Sequence, residues 1–444
     1  MGLSAAGDAL ARHSGFDQNA AALEPYFDKA ARQLGMDRLA IRRINVPDSA
    51  TGRVGAKREP ITSAYYTEAL DKGAQLFKWE ERVKRSGQRK GSKVTGIGIG
   101  QAYHPSGSHG FDGLLCITPD GKLHIHTGVG NLGTFSYAGT ARVAAEALNC
   151  DWDNVVIERG DTRRGLPWNF GQFGSNTSFT MARTNFVAAE DARKKLLDIA
   201  AKTLGGSPDD YQLGQEQVVS KTNSSRSLSF ADAAKRAIAL GGAYSGQEVP
   251  ADIHPLTKTA VGMIAGTGLI GVAKDNLPFE GQTQTYTVGL VEIELDVETG
   301  EVQLIDYVAV TDCGTVIHPQ NLHHQIKGGS VMGIGMARFE RYVFDPRYGI
   351  PLASEIYLSK PASCLDTPLS FTVDAVDKPD PQSPMGSRGV GEPPLGACAA
   401  AIVCAISDAL GGQTFNRTPV VGDMILNHLA RQPQAHKPLQ VNTV

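Results

Sequence analysis

Glu392 is the residue best placed to do chemistry. It stands in the run Gly389-Val390-Gly391-Glu392-Pro393-Pro394-Leu395-Gly396. Glycine lets a backbone approach a ligand closely, and proline fixes φ and suits the first turn of a helix. An apolar, helix-like stretch, Ala397 to Leu410, follows at once. The pattern mounts one carboxylate stiffly at a helix start, as a positioned general base requires. Four residues earlier, Arg388 is either a group that orients an anion or steadies the carboxylate, or a solvated loop charge.

Three glycine-rich runs look like helix starts. They are Gly128-Val129-Gly130-Asn131-Leu132-Gly133, Gly174-Ser175-Asn176-Thr177-Ser178, and Gly328-Gly329 preceded by Gln325. Exposed N–H groups at a helix N-terminus favour anions such as phosphate. Ser175, Thr177, Gln172 and Gln325 add neutral, oriented hydrogen-bonding groups. Together they suggest a polar, phosphorylated, ring-rich cofactor. Ordinary turn chemistry is the other account of any one of these loops. Trp168, Phe170 and Phe173 crowd the second loop, either as walls of a funnel or as core packing. His124 and His126 share one face of a strand, a spacing that suits a metal, but no third ligand is in view, so no metal ligand set is expected.

Composition narrows the class. The chain has 444 residues, 41% hydrophobic and 20% charged, with a net charge of −3. That fits a globular protein of two or three domains and gives no reason to expect nucleic acid or an anionic membrane as partner. Met1 to Gly15 lacks the basic and apolar regions of a signal peptide, and no stretch approaches ~18 uninterrupted apolar residues. Six cysteines lie at 116, 150, 313, 364, 398 and 404, none in a C-x-x-C pattern. Free, mostly buried thiols in a reducing cytoplasmic setting are expected, with no iron–sulfur or structural zinc site.

The elements that must position these residues follow from periodicity and turn chemistry. Helices are predicted over Ala20–Leu34, near Leu39–Arg43, around Tyr65–Arg85, over Ala138–Leu148, Ala182–Leu204 and Phe230–Leu240, and from Gly328-Gly329 through Phe339. Pro119-Asp120-Gly121 joins Leu114–Ile117 to Leu123–His126 as a hairpin, and Glu298-Thr299-Gly300 joins Val288–Val297 to Val302–Val310 as another. A strand is expected at Val155–Glu158. Residues 205–285 are the least legible. Strand pairs alternating with helices, without a nucleotide-type G-x-G-x-x-G after a first strand, predict an α+β fold of mixed sheets with flanking helices. The expected division is 1–95, a helical segment with surface structure, then cofactor-binding regions over 96–285 and 286–444, the last carrying Glu392.

The order of motifs resembles the molybdopterin-binding large subunit of the xanthine dehydrogenase/aldehyde oxidoreductase family of molybdenum hydroxylases, specifically its C-terminal part. Arg12, Gly15 and Gln18 match an R-x-x-G-x-x-Q segment. Gly160-Asp161-Thr162 matches a G-D-T, and Gly174-Ser175-Asn176-Thr177 is similar to the family's G-S-x-[ST] cofactor loop. Asp312, Gly314, Pro319, Gln325, Gly328, Gly329, Gly333 and Gly335 fit a D-x-G…P…Q-x-x-G-G…G-x-G segment, and Gly391-Glu392-Pro393-Pro394 closes the series. One departure stands out: the family usually shows Gly-Gln where this chain has Gly133-Thr134, so a hydroxyl replaces an amide.

The resemblance implies a molybdenum–pterin cofactor, the cytosine dinucleotide form being one option, held by Arg12, Gly133, Thr134, Gln172, Gly174, Ser175, Thr177, Gln325 and Gly391. It implies Glu392 as the base that takes a proton while a water-derived oxygen is transferred to an electron-poor carbon of an N-heteroaromatic or aldehyde-like substrate. Tyr103 and His104 fall at the expected substrate pocket. It implies a partner chain supplying the subunit's N-terminal half, a [2Fe-2S] subunit, and optionally a flavin subunit with FAD. Dehydroxylation, dehydrogenation or hydration on the same cofactor, and a cofactor-free structural or maturation subunit, remain as alternatives. The family's carbon monoxide branch needs a special cysteine loop that this chain lacks.

Overall fold

Glycine occupies every second position at 96, 98 and 100, so an extended chain there presents a face with no side chains. The computed structural model describes residues 15–52, 60–161, 163–169, 171–341, 343–415 and 417–434. It forms this stretch as a long strand and lays the helix Pro393–Ala409 directly on the bare face. A Cβ built on Gly98 would lie 2.0 Å from the Ala401 carbonyl oxygen, and one on Gly96 would lie 2.2 Å from that of Ala405. The helix answers with alanine at 397, 399, 400, 401, 405 and 409, so backbone meets backbone with little between.

In chain order the strands are β1 (Arg89–Lys90), β2 (Lys93–Pro105), β3 (Asp112–Ile117), β4 (Leu123–His126), β5 (Val155–Glu158) and β6 (Tyr211–Gly214). They continue as β7 (Gln217–Ser220), β8 (Ser227–Ser229), β9 (Leu269–Lys274), β10 (Gln284–Asp296), β11 (Val302–Asp312) and β12 (Ser370–Ala375). Contacts group the chain into two units.

The first unit draws on Met1–Pro105, Gln284–Lys378 and Val390–Val444. Its sheet runs β1-β2-β10-β11-β12, antiparallel except for the parallel β11/β12 pair. One face receives Pro393–Ala409, where Ile402 and Ile406 join Ile293, Leu295 and Ile334. The other face presents Ile97, Ile99, Leu290 and Val310 to Leu70 and Phe77 of the helix Tyr66–Phe77.

The outer edge of β2 needs partners for its backbone groups, because β1 covers only Lys93 and Val94. Buried ions provide them. Arg38 Nη1 donates to Ile97 O at 2.7 Å, Arg42 Nη2 to Ile99 O at 3.2 Å, and Asp408 Oδ2 accepts from Ile97 N at 2.9 Å. Arg42 is fully enclosed and pairs with Glu24 at 2.7 Å and Asp28 at 2.8 Å. Burial opposes its charge, but Glu24 and Asp28 outweigh burial and move its pKa up.

The second unit comprises Ser106–Thr283 and Pro379–Gly389. Its sheet runs β5-β4-β3-β9, with β6-β7-β8 as a small separate sheet. The helix Thr177–Leu204 repeats the close approach, its Thr184 carbonyl oxygen 2.0 Å and its Ala188 carbonyl oxygen 2.5 Å from the points where Cβ atoms would stand on Gly113 and Gly271. Buried Arg183 forms a two-point pair with Asp275 at 2.8 and 3.0 Å and donates to Gln382 O at 2.6 Å, tying the 379–389 segment to this unit.

The α+β expectation and both predicted hairpins are met, the strands pairing antiparallel. The helix expected around Tyr65–Arg85 breaks at Lys78, which takes φ +56°. Gly328-Gly329 does not open a helix. That helix runs Pro319–Arg338, starting nine residues earlier on a His318 cap, and the glycines lie inside it. Gly329 and Gly333 serve packing: a Cβ on Gly329 would stand 3.0 Å from Pro394 Cβ, and one on Gly333 2.5 Å from Leu395 O, whereas Gly328 has nothing within 4 Å.

Gly98→Val is expected to destabilise by at least ~3 kcal/mol, since the colliding atom is helix backbone that cannot swing aside. Gly130→Ala, with nothing within 4 Å of its Cβ position, is the control. Urea unfolding of both variants checks the difference.

Candidate functional site

Glu392 sits at the N-cap position of Pro393–Ala409 with helical backbone angles and is half-buried. A carboxylate at a helix start normally accepts from the first free N–H groups. Here Pro393 and Pro394 have no N–H to offer, and Glu392 makes no capping bond to its own helix. The carboxylate is therefore not consumed by the helix that carries it. Its mount is rigid. Gln325 Nε2 donates to Gly391 O at 3.1 Å, Gly329 lies beneath Pro394, and a Cβ on Gly100 would stand 2.6 Å from Ala397 O.

In the second unit the two glycine-rich loops are joined by one amide. Gln172 Oε1 accepts from Leu132 N at 3.1 Å, while its Nε2 donates to Thr134 Oγ1 and to Ser136 Oγ, both at 3.0 Å. Asn131 Oδ1 accepts from Gly133 N at 2.9 Å and Phe135 N at 3.2 Å. Asn169 Oδ1 accepts from Gly128 N at 2.6 Å and its Nδ2 donates to Asp112 O. Asn169 was not anticipated. An asparagine three residues before Gln172 in an irregular stretch is a weak signal by itself.

Gly174 and Ser175 both take positive φ, +62° and +51°. That places Ser175 O 1.7 Å from where a Cβ would stand on Gly389, so only glycine fits at 389. Asn176, buried at the start of the Thr177–Leu204 helix, has an Oδ1 with no partner among the described residues, as do the hydroxyls of Ser106 and Ser387. Ser106 and Gly389 are joined through Gly389 N to Ser106 O at 3.4 Å. Thr177 is the first residue of the helix and is buried.

The remaining expected residues separate. Arg12, Thr162 and Phe170 lie outside the described residues. Tyr103 and His104 are consecutive on β2, so their side chains leave opposite faces of the strand. Tyr103 is half exposed, whereas His104 is buried with Nδ1 2.7 Å from Pro105 O. Arg388 is not a solvated loop charge: it is buried, and its Nε stands 3.8 Å from buried Asp380. Trp168 and Phe173 are exposed rather than core, and Trp168 stacks on His254 with ring centres 4.6 Å apart. Cys398 and Cys404 are buried free thiols, and burial pushes Cys398 up to about 12. Among the described residues no group of three or more His, Cys, Asp or Glu side chains is arranged to hold a metal ion, and no helix is long and apolar enough to cross a membrane.

With the loops and the glutamate placed, the family follows. Residues 72–368 match the molybdopterin cofactor-binding domain, and the chain belongs to that family. It is 27% identical over 394 residues to the probable hypoxanthine oxidase XdhD of Escherichia coli K12, covering 86% of this chain and 38% of that one. It is 27% identical over 421 residues to the gamma subunit of the 6-hydroxypseudooxynicotine dehydrogenase complex of Paenarthrobacter nicotinovorans, covering 91% and 49%. The Cu,Mo-CO dehydrogenase structure shares the fold with a TM-score of 0.77 at 20% identity, over 94% of this chain and 52% of that one. Quinoline 2-oxidoreductase from Pseudomonas putida 86 shares it at 0.72 and 22%, over 93% and 52%. The chain spans about half the length, or less, of these relatives.

The end of β4 feeds the first loop, and it holds a buried titratable group. Burial lowers the His126 pKa from 6.5 to about 4, with Glu158 opposing and His124 and Arg164 adding to the fall. The folded chain thus refuses a proton that the unfolded chain accepts. Stability is unaffected above about pH 6.5 and falls as pH drops toward 4, by about 3 kcal/mol in the limit. Unfolding measured from pH 7 to 4 is expected to lose this component in His126→Gln.

Proposed function

We propose that this chain is the glutamate-bearing part of a molybdopterin-binding oxidoreductase subunit that hydroxylates an electron-poor carbon, N-heteroaromatic or aldehyde-like, with water as the oxygen source. The observation that carries the reading is Glu392: a carboxylate on a two-proline helix start, unspent on capping, behind a Gly391 carbonyl fixed by Gln325.

The residues present fit a molybdenum–pterin group. The loops offer neutral hydrogen-bonding groups and exposed backbone rather than paired charge, and buried Asn176 Oδ1 has no donor among the described residues. Ser175, Thr177, Gly174, Gly133, Thr134, Gln172, Gln325 and Gly391 are the residues proposed to hold the group. Gln172 brings an amide to Thr134, which offsets in space the amide lacking at 134 in sequence. When bound, the group supplies two-electron redox chemistry and activation of water. Glu392 accepts the proton that a water-derived oxygen must lose before it attacks carbon. Tyr103, the exposed member of its pair, offers a flat face to an aromatic substrate.

Relatives described as complex subunits or as molybdenum-binding subunits support a multi-subunit assembly. The partners proposed are the rest of the large subunit, a [2Fe-2S] subunit and, optionally, a flavin subunit. A cytoplasmic location is proposed with them.

Glu392→Gln is expected to lower turnover by about 10²–10⁴-fold with molybdenum content unchanged. Turnover within about tenfold of the parent, only ~1.4 kcal/mol in the barrier, removes Glu392 as the base. Ser175→Ala and Gln325→Ala are expected to lower molybdenum occupancy, read by metal analysis of the purified complex. Full occupancy in both counts against the loops, and absence of molybdenum and pterin from the parent complex overturns the cofactor reading.

A further inference from the structure

Water-exposed apolar side chains are ordinary when scattered and informative when concentrated. Among the described residues 24 large apolar side chains are exposed, and ten of them fall within residues 343–369 of the first unit. Ile356 is 79% exposed, Tyr357 71% and Leu365 92%, with Tyr348, Ile350 and Leu369 each more than half exposed. Little local structure explains them. A small hairpin bridges Phe344 and Pro351, and a single helical turn covers Ile356–Ser359. A segment this apolar does not choose water; it has the composition of an interface core.

A second observation lies beside it. Leu365 and Leu369 form part of the wall of a cavity of about 370 Å³ at the C-terminal end of the Pro319–Arg338 helix. Arg338 lines this cavity, yet its guanidinium is buried and Nη1 has no hydrogen-bond partner among the described residues. Glu301 and Asp366 line the same cavity and act on Arg338 through space, Glu301 the more strongly, but neither gives Nη1 a hydrogen bond, and Asp366 accepts from Ser363 N and Ser363 Oγ, each at 2.7 Å. Nη1 thus has room for one more acceptor, a carboxylate or a backbone carbonyl, from whatever covers the apolar segment.

We propose that residues 343–369, with the Arg338 cavity, form the docking surface for the rest of the large subunit, the half of the relatives that lies outside the region they share with this chain. The occupant presents an apolar strip and places an acceptor against Arg338. The choice rests on the reading of this chain as part of a molybdopterin-binding subunit. It also rests on length: the relatives are about twice as long as the region they share with it. A chain of that extent is large enough to cover ten apolar side chains, which a small ligand in the cavity is not. A second copy of this chain is the competing occupant.

The test is photo-cross-linking in cells that make the full complex. p-Benzoylphenylalanine replaces Ile356 or Leu365, and in a control Leu23, an exposed residue outside the segment. Adducts are mapped by peptide mass spectrometry, and molybdenum is measured on the same complex. The expected result is an adduct from 356 and 365, but not from 23, on a peptide matching the half of the relatives' large subunit that lies outside the shared region. Arg338→Met is expected to weaken that association at least tenfold. An adduct with a second copy, or none from either position, overturns the proposal. If molybdenum is present while the cross-links fail, the surface is wrong and the functional reading stands; if the cross-links form in a complex without molybdenum or pterin, the reverse holds.

Discussion

The first unit depends on one close contact, the backbone of Pro393–Ala409 lying against the glycines of β2. A helix is ordinarily held off a sheet by the side chains between them. Removing the side chains at 96, 98 and 100, and reducing those of the helix to methyl groups, allows carbonyl oxygens to occupy the space where Cβ atoms would be. The gain is positional. A helix this closely seated has little freedom to slide or roll, and Glu392 stands at its end. The same arrangement recurs in the second unit, where Thr177–Leu204 rests on Gly113 and Gly271 and its first turn carries Asn176 and Thr177. Both helices that start at a proposed functional loop are thus seated on bare sheet.

Such seating has a cost at the edge. β2 is long, and β1 pairs with only its first residues, leaving Ile97 and Ile99 with unpaired backbone groups inside the protein. Arg38, Arg42 and Asp408 satisfy them. Buried charges are costly to desolvate and are justified only when every group is paired. Here Glu24 and Asp28 complete the set. Asp408 belongs to the glutamate helix itself, so the ion cluster that closes the sheet edge also anchors that helix at the end opposite Glu392.

The loops of the second unit follow a different rule. They are held by neutral amides: Asn131 and Asn169 accept from backbone N–H groups, and Gln172 joins one loop to the other. Uncharged side chains shape the loops without filling them with paired charge. Asn176 Oδ1, without a partner among the described residues, is the exception that a bound group with a donor would satisfy.

Much of this was legible locally. Turn chemistry at Pro119-Asp120-Gly121 and Glu298-Thr299-Gly300, helical periodicity in Phe230–Leu240, and the two prolines after Glu392 act within a few residues, so their outcome is written in order along the chain. What escaped are features whose cause lies far away in sequence. Strand β2 was missed because glycine has low strand propensity, and only the helix three hundred residues later gives those glycines a use. Gly328-Gly329 looks like a loop opening a helix, since glycine marks turns; Pro394 makes Gly329 a packing surface inside the helix instead. Arg388 allowed two fates until buried Asp380 decided it. The sequence alone determined which residues have the chemistry and which short segments are stiff. The tertiary structure decided which glycines are hinges and which are contact surfaces, because a missing side chain means freedom in solvent and close approach against another backbone.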